Sequence, residues 1–109
     1  MRVAIIGSRG LAPENIGAYL SDCDEIVSGG AKGVDTCAAA YARENGIQLT
    51  EFLPDYETYG RAAPIRRNEQ IVDYADKVIA FWDGHSKGTK FVICYAEKIG
   101  KECIVVTCK

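Results

Sequence analysis

The chain has 109 residues, 48% of them hydrophobic and 26% charged, with a net charge of −2. That is enough for one buried core, and the slight acidic balance argues against broad nucleic-acid binding, which leaves a basic excess. No apolar run approaches the length of a membrane span, and the opening Met1–Ile6 is too short for a signal peptide, so the expected location is the cytoplasm.

Five apolar runs read as strands, and helical patterns alternate with them. The first strand is Val3–Ile6, followed by the loop Gly7-Ser8-Arg9-Gly10 and a helix that Pro13 opens and that reaches about Ser21. The second strand, Glu25–Ser28, runs into Ser28-Gly29-Gly30-Ala31-Lys32-Gly33-Val34-Asp35. Val34, Cys37, Ala38, Tyr41 and Ala42 then keep the i, i+3, i+4, i+7, i+8 spacing of one helix face, and Gly46 is placed to end it. The third strand is Gln48–Leu53. An irregular stretch from roughly Pro54 to Ala63 follows, then a helix that Pro64 opens and that runs to about Ala75. The fourth strand, Lys77–Trp82, leads into Asp83-Gly84-His85-Ser86-Lys87-Gly88-Thr89. Val92, Tyr95, Ala96 and Ile99 mark the last helix, Gly100 stops it, and Glu102–Thr107 is the fifth strand.

The near-continuous Val and Ile content of these runs suits strands covered on both faces. The order β-α-β-α-β-α-β-α-β therefore predicts a three-layer α/β/α sandwich around a five-stranded parallel sheet, one domain over residues 1–109. Right-handed crossovers leave few strand orders. The Rossmann-like order 3-2-1-4-5 makes strands 1, 2 and 4 neighbours, so all three glycine loops open on one edge beside the switch point where such sheets bind ligands. The flavodoxin-like order 2-1-3-4-5 would separate them, so the clustering favours the first.

A glycine turn that feeds a helix presents backbone N–H groups and the positive end of the helix dipole, which together favour an anion. In the second loop Ser28, Gly29, Gly30 and Gly33 shape that cradle and Lys32 adds a cation; it matches neither the Walker pattern nor G-x-G-x-x-G. Asp35 competes for the same positive end, and either holds a ribose hydroxyl or caps the helix. In the first loop Gly7 allows close approach, Ser8 offers a hydroxyl, and Arg9 is able to grip a phosphate bidentately. In the third, Gly84 and Gly88 allow the turn while Asp83, Ser86, Lys87 and Thr89 offer polar contacts. His85 is the single histidine; with Asp35 and Asp83 it completes the short roster of candidate catalytic groups, and no carboxylate pair stands at a recognisable spacing. Arg61, Arg66 and Arg67 lie before and within a helix N-terminus, where cations oppose the dipole unless something negative is near; Arg66 and Asn68 are expected to close the site from the side. Trp82 either stacks a base or belongs to the core.

Cys23, Cys37, Cys94, Cys103 and Cys108 form no C-x-x-C, and their odd number disfavours a disulfide framework or a zinc site; they read as packing or surface thiols, and no metal site is expected.

Four ordered motifs, Gly7-Ser8-Arg9, Ser28 to Asp35, Tyr59-Gly60-Arg61-Ala62-Ala63-Pro64-Ile65-Arg66-Arg67-Asn68 and Ala80 to Thr89, resemble the SLOG superfamily, the Rossmann-like group that includes DprA (Smf) and the LOG enzymes, and most of all its YspA-like branch. The resemblance spans nearly the whole chain. It implies a site for a nucleotide or nucleotide-derived ligand (a nucleoside phosphate, NAD or ADP-ribose type), ligand sensing in bacterial and phage conflict systems, and in some members nucleotide hydrolysis. LOG enzymes carry acidic residues directly after the Gly-Thr of this last motif; here Gly88-Thr89 is followed by Lys90-Phe91-Val92-Ile93, with no carboxylate before Glu97. The expected function is therefore a small binding or sensor module with a nucleotide-type ligand and no certain cofactor. The alternative is a hydrolase of an N-glycosidic or phosphate ester bond. A homo-oligomer is the expected assembly, because a chain this short makes a shallow cleft.

Overall fold

The computed structural model describes residues 1–8, 10, 11, 13, 16–20, 23–30 and 33–107. Five parallel strands, β1 (Arg2–Gly7), β2 (Glu25–Ser28), β3 (Gln48–Glu51), β4 (Lys77–Trp82) and β5 (Glu102–Thr107), form one sheet in the order β3-β2-β1-β4-β5. This is the expected Rossmann-like order, with β1 between β2 and β4.

Side-chain alternation divides the core into two layers. On one face Val3, Ile5, Ile26, Ile79 and Phe81 pack with Val34, Ala38 and Ala42 of α1 (Val34–Glu44). On the other, Ala4, Ile6, Val27, Val78 and Ala80 meet Ile71 and Val72 of α3 (Ala63–Tyr74) and Val92, Ile93 and Ala96 of α4 (Lys87–Lys98). A strand whose odd and even residues are both buried needs apolar residues throughout, which is why β1 reads Val-Ala-Ile-Ile rather than alternating. The edge strand β5 is only partly covered, and Val105 is exposed.

Three departures from the sequence expectations have local causes. Where a helix was expected from Pro13, a 3-10 helix spans Ile16–Tyr19, burying Ile16, and Leu20 just after it is also buried; Ser21 lies outside the described residues. Strand β3 stops at Glu51 rather than Leu53: the Phe52 N–H still donates to the Ser28 carbonyl, but Leu53 is exposed and the chain turns away. The stretch expected to be irregular holds a one-turn helix, α2 (Tyr56–Tyr59), whose N-cap Asp55 accepts the Thr58 N–H at 3.1 Å, and a 3-10 turn over Gly60–Ala62. Four residues are too few to show a helical period, so only the cap signalled it.

The amino ends of β1 and β4 are tied together. Arg2 donates its backbone N–H to Asp76 at 2.8 Å, pairs its guanidinium with the same carboxylate at 3.6 Å, and lays that guanidinium over the Tyr74 ring. Among the described residues no helix is long and apolar enough to cross a membrane.

Candidate functional site

The carboxyl ends of β2, β1 and β4 open into a cleft of about 470 Å3, bounded by the glycine loops and closed on the side by α3. Its geometry starts with close packing. Gly7 ends β1 where a Cβ would lie 2.4 Å from Val34 Cγ2 and 2.7 Å from the Phe81 carbonyl, so the first turn of α1 sits directly on the strand end. Ser8 is fully enclosed beyond it: its N–H donates to the Phe81 carbonyl at 3.1 Å, and its hydroxyl oxygen accepts the Asp83 N–H at 3.3 Å. The loops after β1 and β4 are thereby fixed to each other.

Asp83 organises the third loop. Its Oδ1 accepts the N–H groups of His85 and Ser86, both at 2.8 Å. These two bonds, with a further contribution from the Ser8 hydroxyl, hold its pKa below the ordinary carboxylate value. Ser86 then caps α4 by accepting the Thr89 N–H at 3.4 Å. No acidic residue occupies the first turn of α4. Thr89 lines the cleft and is 5% exposed.

The second loop is built differently. Gly33 is the N-cap of α1 with φ 79°, and no side chain caps that helix. Asp35, 8% exposed, lines the cleft and accepts the Gly29 N–H at 3.2 Å. It therefore stabilises the turn that precedes its helix rather than capping the helix end. Ser28 is buried behind the turn, its hydroxyl oxygen accepting the Gly30 N–H, and Gly30 is exposed.

Arg67 closes this side. Its Nη1 donates to the Gly29 carbonyl at 2.8 Å and to the Phe52 carbonyl at 3.4 Å, while Nε donates to Asn68 Oδ1 at 2.9 Å. A Cβ on Gly29 would meet Arg67 Nη1 at 2.5 Å and Asp35 Oδ2 at 3.1 Å, so guanidinium and carboxylate flank the same backbone atom. The expectation for Arg66 is corrected: it is exposed, pairs with Glu69 at 2.9 Å, and does not line the cleft. Helix phase explains the exchange. Counting back from buried Ile71, the i, i+3, i+4, i+7 face is Pro64, Arg67, Asn68 and Ile71, and all four line the cleft.

Of the remaining sequence candidates, Gly7, Ser8, Gly29, Asp35, Asn68, Asp83, Ser86, Gly88 and Thr89 line the cleft together, joined by Gly10. His85 is exposed, contributes its backbone N–H to Asp83, and is not on the cleft wall; nor is Gly84, which is exposed with φ 86°. Arg9 and Lys32 lie outside the described residues. Trp82 is half-buried against the α3/α4 side of the core and donates Nε1–H to the Ser86 carbonyl at 3.0 Å, which supports the loop from behind. Among the described residues no group of three or more His, Cys, Asp or Glu could hold a metal ion.

A doubly wound parallel sheet with a polar cleft over its central strands, walled by glycine turns and two helix N-termini, defines an α/β protein of the Rossmann-like class. Residues 1–59 match the YspA, cpYpsA-related SLOG family, and the chain belongs to that family. It is also 37% identical over 81 residues to the Gene 61 protein of Mycobacterium phage D29, a match that covers 69% of this chain and 65% of the phage protein, so the chain spans just under two-thirds of that relative's length.

Proposed function

We propose that the cleft binds a nucleotide or nucleotide-derived ligand, of nucleoside phosphate, NAD or ADP-ribose type, and that the protein acts as a binding or sensor module. The observation that carries this reading is Thr89. Its side chain sits on the wall of the cleft in the first turn of α4, a helix end without acidic residues where N–H groups and the helix dipole favour an anion. A phosphate oxygen would bond to the hydroxyl and the helix end together. Asp35, held at the opposite loop, suits a sugar hydroxyl rather than a second anion. Family membership is consistent with this class of ligand.

The hydrolase alternative draws on the two carboxylates of the cleft wall. Asp83 is weakened as a general base because its bonds to His85 and Ser86 stabilise the ionised form.

The test is a thermal-shift and product assay on nucleoside monophosphates, NAD and ADP-ribose with the wild type and Thr89→Val. At a hundredfold over the dissociation constant, a true ligand adds about 2.7 kcal/mol of stability. Thr89→Val should fold at least as stably and lose about tenfold or more in affinity, since it removes only the hydroxyl. Product formation would move the assignment to the hydrolase, and a panel without any stabilising ligand would sink the reading altogether.

A further inference from the structure

The cleft has polar groups and aliphatic side chains on its wall but no aromatic residue among the described ones. Apolar surface is instead displayed just outside it. Of the seven large hydrophobic side chains exposed among the described residues, three, Leu53, Tyr56 and Tyr59, fall between the end of β3 and the start of α3, and a fourth, Ile65, is in the first turn of α3. Tyr56 and Tyr59 are 61% and 41% exposed. Neither α2 nor the following 3-10 turn buries any residue, so nothing in the fold of this arm calls for two tyrosines. A cluster of this kind on a small protein marks a contact site more often than chance.

One end of the arm lies beside the cleft, next to Gly29 of its wall, and the other forms part of that wall. At one end Leu53 Cδ2 lies 2.8 Å from where a Gly30 Cβ would stand, against the β2–α1 loop; at the other, Pro64 is part of the cleft wall. The tyrosines are three residues apart on one helical turn, which places their rings on the same side of it. Asp55 caps that turn and Gly60, with φ 56°, joins it to the next.

We propose that Tyr56 and Tyr59 form the platform on which the aromatic base of the bound nucleotide stacks, while its phosphate end lies against α4. This inference rests on the binding reading above and adds to it: the cleft recognises the phosphorylated sugar, and the arm selects for an aromatic base. A bound base would cover the exposed rings.

The experiment compares adenosine 5′-monophosphate with ribose 5-phosphate, using the wild type and the double variant Tyr56→Ala/Tyr59→Ala. Both residues are exposed, so the variant is expected to fold normally. Wild type should bind the nucleotide about tenfold or more tightly than the sugar phosphate, and the double variant should lose that advantage while holding ribose 5-phosphate unchanged. Upfield shifts of the adenine protons on binding, absent with the variant, would report stacking directly. Equal affinity of wild type for the two probes, or an equal loss on both in the variant, overturns the platform and leaves the phosphate site standing. A free protein that is a dimer, dissociated by the same two changes, assigns the tyrosines to a protein contact and overturns the proposal as well. Binding of neither probe removes the nucleotide reading of the cleft and this inference with it.

Discussion

Single residues divide here by what surrounds them, and chemical type is a poor guide to which role each plays. Gly7 ends β1 and Gly29 directly follows β2, and both leave no room for a Cβ, but the obstacles differ. At Gly7 they are a backbone carbonyl and the β-branched side chain of Val34, which is fully buried and unable to yield. At Gly29 the nearest obstacle is the far end of Arg67, a side chain that can swing aside at the expense of its bonds to Gly29 and Phe52. Gly7→Ala should therefore cost about 1–3 kcal/mol in urea unfolding, the usual range for overpacking, whereas Gly29→Ala should cost less stability and more ligand affinity. A Gly7→Ala variant as stable as wild type would contradict the packing of α1 on the end of β1. The sequence showed both glycines and the polar residues around them, because loop composition is a local property. It misassigned the arginine, since Arg66 and Arg67 differ only in helix phase, and the phase is set by the burial of Ile71, a tertiary fact.

At the scale of elements, legibility followed burial. Strands β1, β2 and β4 are covered on both faces and stand out as apolar runs, and α1, α3 and α4 each bury a face that keeps the helical period. The Pro13 helix and α2 were missed or misjudged for the opposite reason: a 3-10 helix of four residues and a single exposed turn offer little periodic surface. Helix α4 carries a prediction of its own. Gly88 is in its first turn and on the cleft wall, and beyond its own helical turn a Cβ there meets no atom of the described residues within 4 Å. The fold gives no reason for glycine at this helical position, where alanine is better by up to about 1 kcal/mol. A ligand that approaches the helix end closely does give one. Gly88→Ala should thus raise the melting temperature slightly and weaken nucleotide binding, two opposite changes that one thermal titration reads. A variant with unaltered affinity would mean that the ligand does not approach this turn.

The whole molecule is polarised along its strands. Arg2, Tyr74 and Asp76 join elements at the amino ends, and Ser8, Asp83 and Thr89 stand at the carboxyl ends, about 20 Å away across six residues of β4. The order β3-β2-β1-β4-β5 makes the separation possible, because it brings the three glycine loops to one edge and leaves the other free to be tied down. Stability and binding should then respond independently. Asp76 has its pKa lowered below 3.8, first by the Arg2 N–H and then by the Arg2 guanidinium. A carboxylate held low when folded contributes stability that is complete above its unfolded pKa and lost as pH falls through the folded one. Asp76→Asn should therefore lower the unfolding midpoint at pH 7, and the difference from wild type should shrink as the solution is taken below pH 4. Affinity for the nucleotide at pH 7 should be the same in both proteins. Asp83→Asn, at the other end of the same strand, should instead weaken binding, because the amide is a poorer acceptor for the two N–H groups that shape the α4 loop. Denaturant curves over pH with a parallel binding titration distinguish the pair, and a loss of affinity in Asp76→Asn equal to that in Asp83→Asn would show that the two edges of the sheet are coupled after all.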